Sequence, residues 1–459
     1  MKKMLLSSVA TAVALVGFTG IAAPAFAKTT TTKVSCYPLY PTGKIKATML
    51  TSCTVSASTT VVATAQDVAA NFASNMGQNS SLDPDLSFPA VTLAEGGSSF
   101  VKPFFQALTS GSTFSSTNAV NWGSYLGTGS GDARTGVTAG TYDFGFADQP
   151  MSAVAGTLKS GHPAADYVQI PVAFGGAVVA YDLGASLNNL KLSSDILAKI
   201  YMGTITSWAD GAIVNLNGGN TSKIGKALLA LPSGTKTIKP LERSGGSGTT
   251  YAFLDYLNAA NSGLPSAVQT AVNGLSAVPT SGVSGNQLDQ TGWNANFGSA
   301  VSGNSGMANA LVTTPGAIGY LEYSYLLIPG NAAIDTAQLQ DAHGDWIKPS
   351  LKNITAAATA AGTVVTPDAF SAVYLTASTA ATQVWPIATF SWAMIAKDQS
   401  SSVSKGKAAT KFLDWMTHFG QTLAKVNGYV PLPLPIQNYA RKQLMNVKNG
   451  SAILLLQAN

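Results

Sequence analysis

The chain has 459 residues, 46% hydrophobic and only 10% charged, with a formal net charge of +5. Two of those positive charges, Lys2 and Lys3, sit in an N-terminal leader, so the remainder is too weakly and too diffusely basic for a nucleic-acid binder. Two cysteines and three isolated histidines (His162, His343, His418) offer no His-Glu-x-x-His motif or Cys/His cluster from which a metal site could be built.

The first stretch, MKKMLLSSVATAVALVGFTGIAAPAFA, runs from two lysines through an apolar segment to Ala25-Phe26-Ala27. That layout predicts a secretory signal peptide, residues 1–27, cut after Ala27, and a periplasmic or secreted mature protein. Gly17, Gly20 and Pro24 break a helix there and disfavour a membrane anchor, so no membrane span is expected after removal. Residues 28–88 read as an appendage: a KTTTTK start, both cysteines, a helix-compatible run over 67–76 and a polar SSLDPDLSFP exit. In an exported protein a Cys36–Cys53 disulfide is the expectation, worth roughly 3 kcal/mol by loop entropy.

From about residue 90 the texture changes to apolar strands alternating with helices, which favours a parallel or mixed α/β sheet. AVTLAEGGSSFVKPFFQAL predicts strand, glycine turn and helix; YVQIPVAFGGAVVAYDL predicts a long buried strand interrupted by its glycines. DILAKIYMGTI reads as a helix. GAIGYLEYSYLL and WPIATFSWAMIA read as strands, and KAATKFLDWMTHF as a helix with Phe412, Leu413, Trp415, Met416 and Phe419 on or near its buried side. Residues 281–306, rich in Gly, Asn and Ser, and the weakly amphipathic 354–372 read as insertions.

Residues 241–257, LERSGGSGTTYAFLDYL, carry the sharpest local signal. Gly245, Gly246 and Gly248 let backbone amides approach a ligand, Ser247, Thr249 and Thr250 can cap a following helix, and Phe253, Leu254 and Leu257 recur at helical spacing. A helix N-terminus beside Arg243 suits an oxyanion. From the loop alone a flexible Gly/Ser segment stays open as the alternative, and no Gly-Lys-Ser/Thr follows to make a Walker A motif.

Four stretches in order, EGGSSF (95–100), YDFGFADQPMS (142–152), IYMGTITSWAD (200–210) and ERSGGSGTTYAFLDYL (242–257), resemble the phosphate-binding proteins of ABC phosphate importers, with GAIGYLEYSYL and WPIATFSWAMIAKDQ adding to the match. The resemblance covers about 90–435. It implies a type II periplasmic-binding-protein fold: two α/β lobes joined by two crossover strands, with the anion in the cleft. Lobe 1 would be discontinuous, 89–171 and 385–459, and lobe 2 would be 172–384. The resemblance also implies a monomer that captures inorganic phosphate by hinge closure and docks on importer permease subunits, without a cofactor and without turnover.

Carried over position by position, the resemblance assigns anion contacts to the hydroxyl and amide of Ser99, the amide of Phe100, the hydroxyl of Ser130, the guanidinium of Arg243 and donors on Ser247, Gly248 and Thr249. Asp148 corresponds to the family's buried carboxylate, with a helix or turn cap before Gln149-Pro150 as the alternative. It would accept the proton of hydrogen phosphate and repel sulfate, which has none to give. At 245 this chain has glycine where the family usually has an aspartate that orients the arginine, which leaves Arg243 to another carboxylate, with the adjacent Glu242 as a candidate. Arsenate, also protonated and nearly the same size, would not be refused by this logic. An enzyme built on the His343-Gly344-Asp345 run is disfavoured because no Gly-x-Ser-x-Gly elbow accompanies it. A secreted or surface relative turned adhesin, scaffold or binder of another tetrahedral oxyanion is the other expectation, consistent with the appendage and with Gly245.

Overall fold

A computed structural model describes residues 33–35, 52–54, 90–110, 120–149, 161–184, 187–260, 300–361, 370–379 and 381–456. The leader, Cys36, the helix-compatible run over 67–76, and residues 281–299 of the Gly/Asn/Ser-rich stretch lie outside the described residues, so the disulfide and the cut after Ala27 do too. Within the appendage, Lys33–Ser35 pairs antiparallel with Ser52–Thr54, setting Val34 opposite Cys53.

In chain order, the elements that place the site begin with strand β1 (Glu95–Gly97), helix α1 (Lys102–Thr109), helix α2 (Ser130–Thr138), strand β2 (Phe144–Ala147) and strand β3 (Tyr167–Tyr181). Helix α3 (Ser194–Tyr201), strands β4 (Lys239–Pro240) and β5 (Glu242–Arg243), helix α4 (Gly248–Ala260), strand β6 (Ala300–Val301), helix α5 (Gly303–Thr313) and strand β7 (Ala317–Glu322) follow. Strand β8 (Asp335–Thr336), helices α6 (Leu351–Ala361) and α7 (Phe370–Ala377), strand β9 (Ala388–Ala396) and helix α8 (Val403–Thr417) complete the set.

Seven strands form one mixed sheet in the order β1-β2-β9-β3-β7-β4, with β8 also paired to β3. Its middle is the antiparallel β9–β3 pair, and parallel pairs flank it, β1 with β2 on one side and β4 with β7 on the other. Two apolar clusters share this sheet. One draws on Val91 to Ala173 and on Ala393 to Leu455, with Phe104, Phe105, Phe144, Phe412 and Trp415 at its heart. The other runs from Phe174 to Trp392, with Trp208, Phe253, Tyr320 and Trp385, and takes in Val430, Leu432 and Ile436. β3 and β9 therefore cross from one cluster to the other.

β3 is unbroken over 15 residues, where the sequence led us to expect an interruption at its glycines. The glycines serve packing instead. A Cβ on Gly175 would come within 3.0 Å of the Phe100 ring and Glu322, and one on Gly176 within 2.8 Å of Ile354. Opposite them, the β9–β3 ladder shifts register between Ser391, which faces Ala173, and Trp392, which faces Pro171. Proline donates no ladder hydrogen bond, so a bulge beside it is where it can sit inside a sheet.

Other expectations needed correction. GAIGYLEYSYLL is strand only to Glu322; Tyr323–Leu327 turns into a 3-10 helix whose Ser324 amide donates to the capping Glu322 side chain. Residues 351–361 form helix α6, because Ile354, Ala357 and Ala358 recur at helical spacing and are buried. Residues 300–306 are not loose either, since they supply β6 and the first turn of α5. The α3 helix ends at Tyr201, before Gly203, and Phe419 belongs to the 3-10 turn after α8. Among the described residues no helix is long and apolar enough to cross a membrane.

Candidate anion-binding site

The ladder explains why Asp148 lies where it does. Trp392 pairs with Ala147, so one residue on in opposite directions brings Ser391 beside Asp148. The Ser391 hydroxyl donates to Asp148 Oδ1 at 2.7 Å. On the other flank Gly97 pairs with Phe146, Ser98 N donates to the Phe146 carbonyl at 2.7 Å, and the Ser98 hydroxyl donates to Asp148 Oδ2 at 2.5 Å. Ser130, at the start of α2, also lies 3.4 Å from Oδ2, and its oxygen accepts from Asp148 N at 3.0 Å.

This carboxylate is buried, and burial pushes its pKa up to about 6. The hydrogen bonds from Ser98 and Ser391, the charge of Arg243 and the Ser130 hydroxyl all oppose that shift without cancelling it. The site thus holds an acceptor poised near neutrality inside a ring of donors.

Arg243, on β5, is buried as well. Its Nη2 donates to Ser99 Oγ at 3.2 Å. Burial pushes its pKa down, and Tyr320, Tyr325 and the charge of Asp148 oppose that shift. Glu242, the adjacent candidate, is half-buried, and its charge also bears on Tyr201 and Tyr320. Around Gly245 a Cβ would meet nothing within 4 Å, so the position is open where the family's aspartate would stand.

Ser99 is a meeting point. Its oxygen accepts from Arg243 and from both Asn304 N (2.9 Å) and Asn304 Nδ2 (3.1 Å), while its carbonyl accepts from Tyr325 Oη at 2.8 Å. Phe100 N is turned to Ser98 Oγ at 2.9 Å, and the Phe100 carbonyl accepts from Tyr429 Oη at 2.5 Å. Thr249 Oγ1 lies 3.4 Å from Asn304 Nδ2.

The loop before α4 closes directly on the loop before α2. Gly248 N donates to Ser130 Oγ at 3.2 Å, and Gly131 N donates to the Gly246 carbonyl at 2.9 Å. Ser247 Oγ accepts from Thr250 N at 3.2 Å, an N-cap that starts α4 at Gly248. A Cβ on Gly248 would stand 2.3 Å from Asp148 Cβ, so only glycine lets the helix end approach the carboxylate this closely.

All eight residues named from the sequence, Ser99, Phe100, Ser130, Asp148, Arg243, Ser247, Gly248 and Thr249, therefore lie in this one buried cluster, each bonded to or abutting another member or a close neighbour of it. Ser98, Asn304 and Ser391 belong to it too and were missed. Ser98 stood in plain sight inside EGGSSF. Ser391 could be found only through the strand register, and Asn304 lay in a stretch without periodicity. Among the described residues no group of three or more His, Cys, Asp or Glu is placed to hold a metal ion.

Comparison with known proteins follows the same lines. Residues 51–418 match the PBP superfamily domain. The chain is 32% identical over 345 residues to the phosphate-binding protein PstS of Xylella fastidiosa strain 9a5c, covering 75% of this chain and 82% of that one. It is 30% identical over 355 residues to the PstS of Haemophilus influenzae, covering 77% and 92%. Among solved structures, a high-affinity periplasmic phosphate-binding protein bound with phosphate matches with a TM-score of 0.53 at 18% identity, over 79% of this chain and 96% of the other. The phosphate-binding protein of Stenotrophomonas maltophilia matches with a TM-score of 0.52 at 20% identity, with the same coverage, and both likenesses concern the fold.

Proposed function

Since the chain belongs to the PstS family of phosphate-binding proteins within the PBP superfamily, we propose that it captures inorganic phosphate between its two lobes and hands it to an ABC-type importer, binding it without turnover. The observation that carries this reading is Asp148: one buried carboxylate among donors, beside a buried guanidinium and the end of a helix. An anion with no proton would meet only repulsion from that carboxylate, whereas hydrogen phosphate has a proton to give it.

In this reading Ser99, Ser130, Arg243, Ser247, Gly248 and Thr249, with the amide of Phe100, surround the phosphate oxygens. A dehydrated oxyanion needs that many donors, since an unpaired buried charge is costly, and the ends of α2 and α4 supply amides without adding full charges. Residues 89–171 and 385–459 would move as one lobe and 172–384 as the other, with β3 and β9 as the crossovers that flex when the cleft opens. We place the mature protein outside the cytoplasmic membrane, with Cys36 and Cys53 joined, acting as a monomer that meets the permease subunits in its closed form.

Calorimetry on the mature protein stripped of anion tests this. Tight phosphate binding that arsenate displaces and sulfate does not, with the sulfate barrier lowered in Asp148→Asn, is the expected result. No heat with phosphate would sink the importer reading and leave a fold put to another use.

A further inference from the structure

One buried cation has no part in the reading so far. Arg134 lies one turn along α2 from Ser130, on the same face, and is 2% exposed. Burial holds its pKa down at about 10, which still leaves it charged at neutral pH. Its Nη1 donates to Gln149 Oε1 at 2.5 Å.

That bond fixes which way the Gln149 amide faces. With Oε1 committed to Arg134, Nε2 is presented to the Ser247 carbonyl, 3.4 Å away, while the Gln149 carbonyl is held by Gln169 Nε2 of β3 at 2.8 Å. A Cβ built on Gly246 would lie 3.6 Å from Arg134 Nη2, so the guanidinium packs beneath the loop itself. The Gly246 carbonyl, in turn, accepts from Gly131 N at 2.9 Å, three residues before Arg134 on the same helix.

The consequence follows from the peptide plane. In a trans peptide the carbonyl of one residue and the amide of the next point in opposite directions. Holding the Gly246 carbonyl therefore aims Ser247 N, and holding the Ser247 carbonyl aims Gly248 N, which points at Ser130 Oγ at 3.2 Å. The start of α2 and the residue two beyond β2 grip the backs of two peptides whose amides, in the phosphate reading, face the anion.

We propose that Arg134 and Gln149 are positioning residues for the phosphate loop, setting the direction of its amides through the Ser247 carbonyl and holding the two sides of the closed cleft together. This rests on the phosphate reading above. Because the grip exists only when the loops are together, its loss speeds release and leaves capture nearly untouched.

The test is stopped-flow release of inorganic phosphate from the loaded, full mature chain, with association rates and thermal midpoints measured alongside. The variants are Gln149→Leu, Gln149→Glu, Arg134→Met and the double Arg134→Met/Gln149→Leu. Gln149→Glu keeps an acceptor for Arg134 and removes the donor to Ser247, so it isolates the grip on the loop. Each single variant is expected to release phosphate about tenfold faster, with an unchanged association rate, as for loss of one buried hydrogen bond. The double variant releases no faster than Gln149→Leu, because both act through one path. Wild-type release from folded Gln149→Leu and Gln149→Glu overturns the proposal, as does an additive double variant. If Arg134→Met does not fold, the Gln149 pair decides. A wild-type chain that binds no phosphate removes the function and this inference together, whereas normal binding with unaltered release removes the inference alone.

Discussion

Ser391 and Asp148 meet across the β9–β2 ladder, the serine hydroxyl donating to Oδ1 at 2.7 Å while Ser98 donates to Oδ2 at 2.5 Å from the opposite flank. Each carboxylate oxygen is thus tied from a different side, Oδ1 by β9 and Oδ2 by the residue that follows β1, and the group cannot rotate without breaking one of two buried bonds. Both bonds also favour the ionised form. Removing either raises the pKa and frees the carboxyl to turn and donate to an anion. Ser391→Ala is therefore expected to narrow the preference for phosphate over sulfate about tenfold, one charge-assisted hydrogen bond's worth. Competition calorimetry at pH 8 checks this, and a preference equal to wild type would show that Ser391 is only packing.

The same carboxyl sets a pH dependence. With its pKa near 6, Asp148 is ionised at pH 8 and largely protonated at pH 5. A protonated carboxyl donates a hydrogen bond and no longer repels a proton-free anion. Sulfate is expected to bind progressively better as pH falls from 8 to 5, while phosphate, which keeps a proton throughout, changes less. Asp148→Asn, whose amide donates at every pH, should bind sulfate at pH 8 about as the wild type does at pH 5. Sulfate binding flat across this range in the wild type would contradict the assignment.

How much of this was legible in the chain depends on what each residue type announces. The glycine-rich run before α4 advertises close approach of backbone to its surroundings, which Gly248 uses against Asp148, so that feature could be read directly from the sequence. The glycines of EGGSSF, read as a turn, belong instead to strand β1, with Gly97 at a φ of 114°. Strand neighbours could not be read directly: Ser391 reaches Asp148 only because β9 pairs with β2 in the register that sets Trp392 opposite Ala147. Asn304 was hidden for another reason. It follows Gly303, whose φ of 67° opens α5 in a stretch that composition alone marks as loop. The glycines of β3 misled in the opposite direction, since Gly175 and Gly176 make room for Phe100, Glu322 and Ile354 rather than ending a strand.

Glu95 yields a prediction about stability. It is buried beside Gly123 and near Asp143, and neither of its oxygens has a well-formed hydrogen bond among the described residues. Desolvation, helped by the charge of Asp143, pushes its pKa from 4.5 up to about 7, and the nearby Gly123 amide offsets only part of this. A carboxyl whose folded pKa exceeds its unfolded value holds its proton better when folded. Its contribution is intact below about pH 4.5 and is lost as pH rises through 7. The anion-free protein should thus melt at a higher temperature at pH 6 than at pH 8. Glu95→Gln, neutral at both, should flatten that difference and stabilise the protein at pH 8 by about 1–3 kcal/mol. An unchanged pH slope in the variant would show that the carboxyl finds a partner in solution.

Gly248 and Gly245 stand three residues apart in one loop and should respond oppositely to the same methyl group. At Gly248 an added Cβ meets Asp148 Cβ at 2.3 Å and Oδ2 at 2.7 Å. The nearest obstacle is an atom fixed to the backbone, so the start of α4 must retreat from the carboxylate. Overpacking of this kind costs about 1–3 kcal/mol, and here the cost falls on the closed form, giving a loss of phosphate affinity between about fivefold and a hundredfold in Gly248→Ala. At Gly245 an added Cβ has nothing within 4 Å, and its backbone does not lie at positive φ. Gly245→Ala should therefore keep phosphate affinity and gain a few tenths to about 1 kcal/mol of stability, by restricting the unfolded chain. Titration calorimetry and denaturant melts on the two variants separate the cases. Equal affinities in both would mean that the helix end does not press on Asp148 when phosphate is bound, and the close approach of Gly248 would lose its role in recognition.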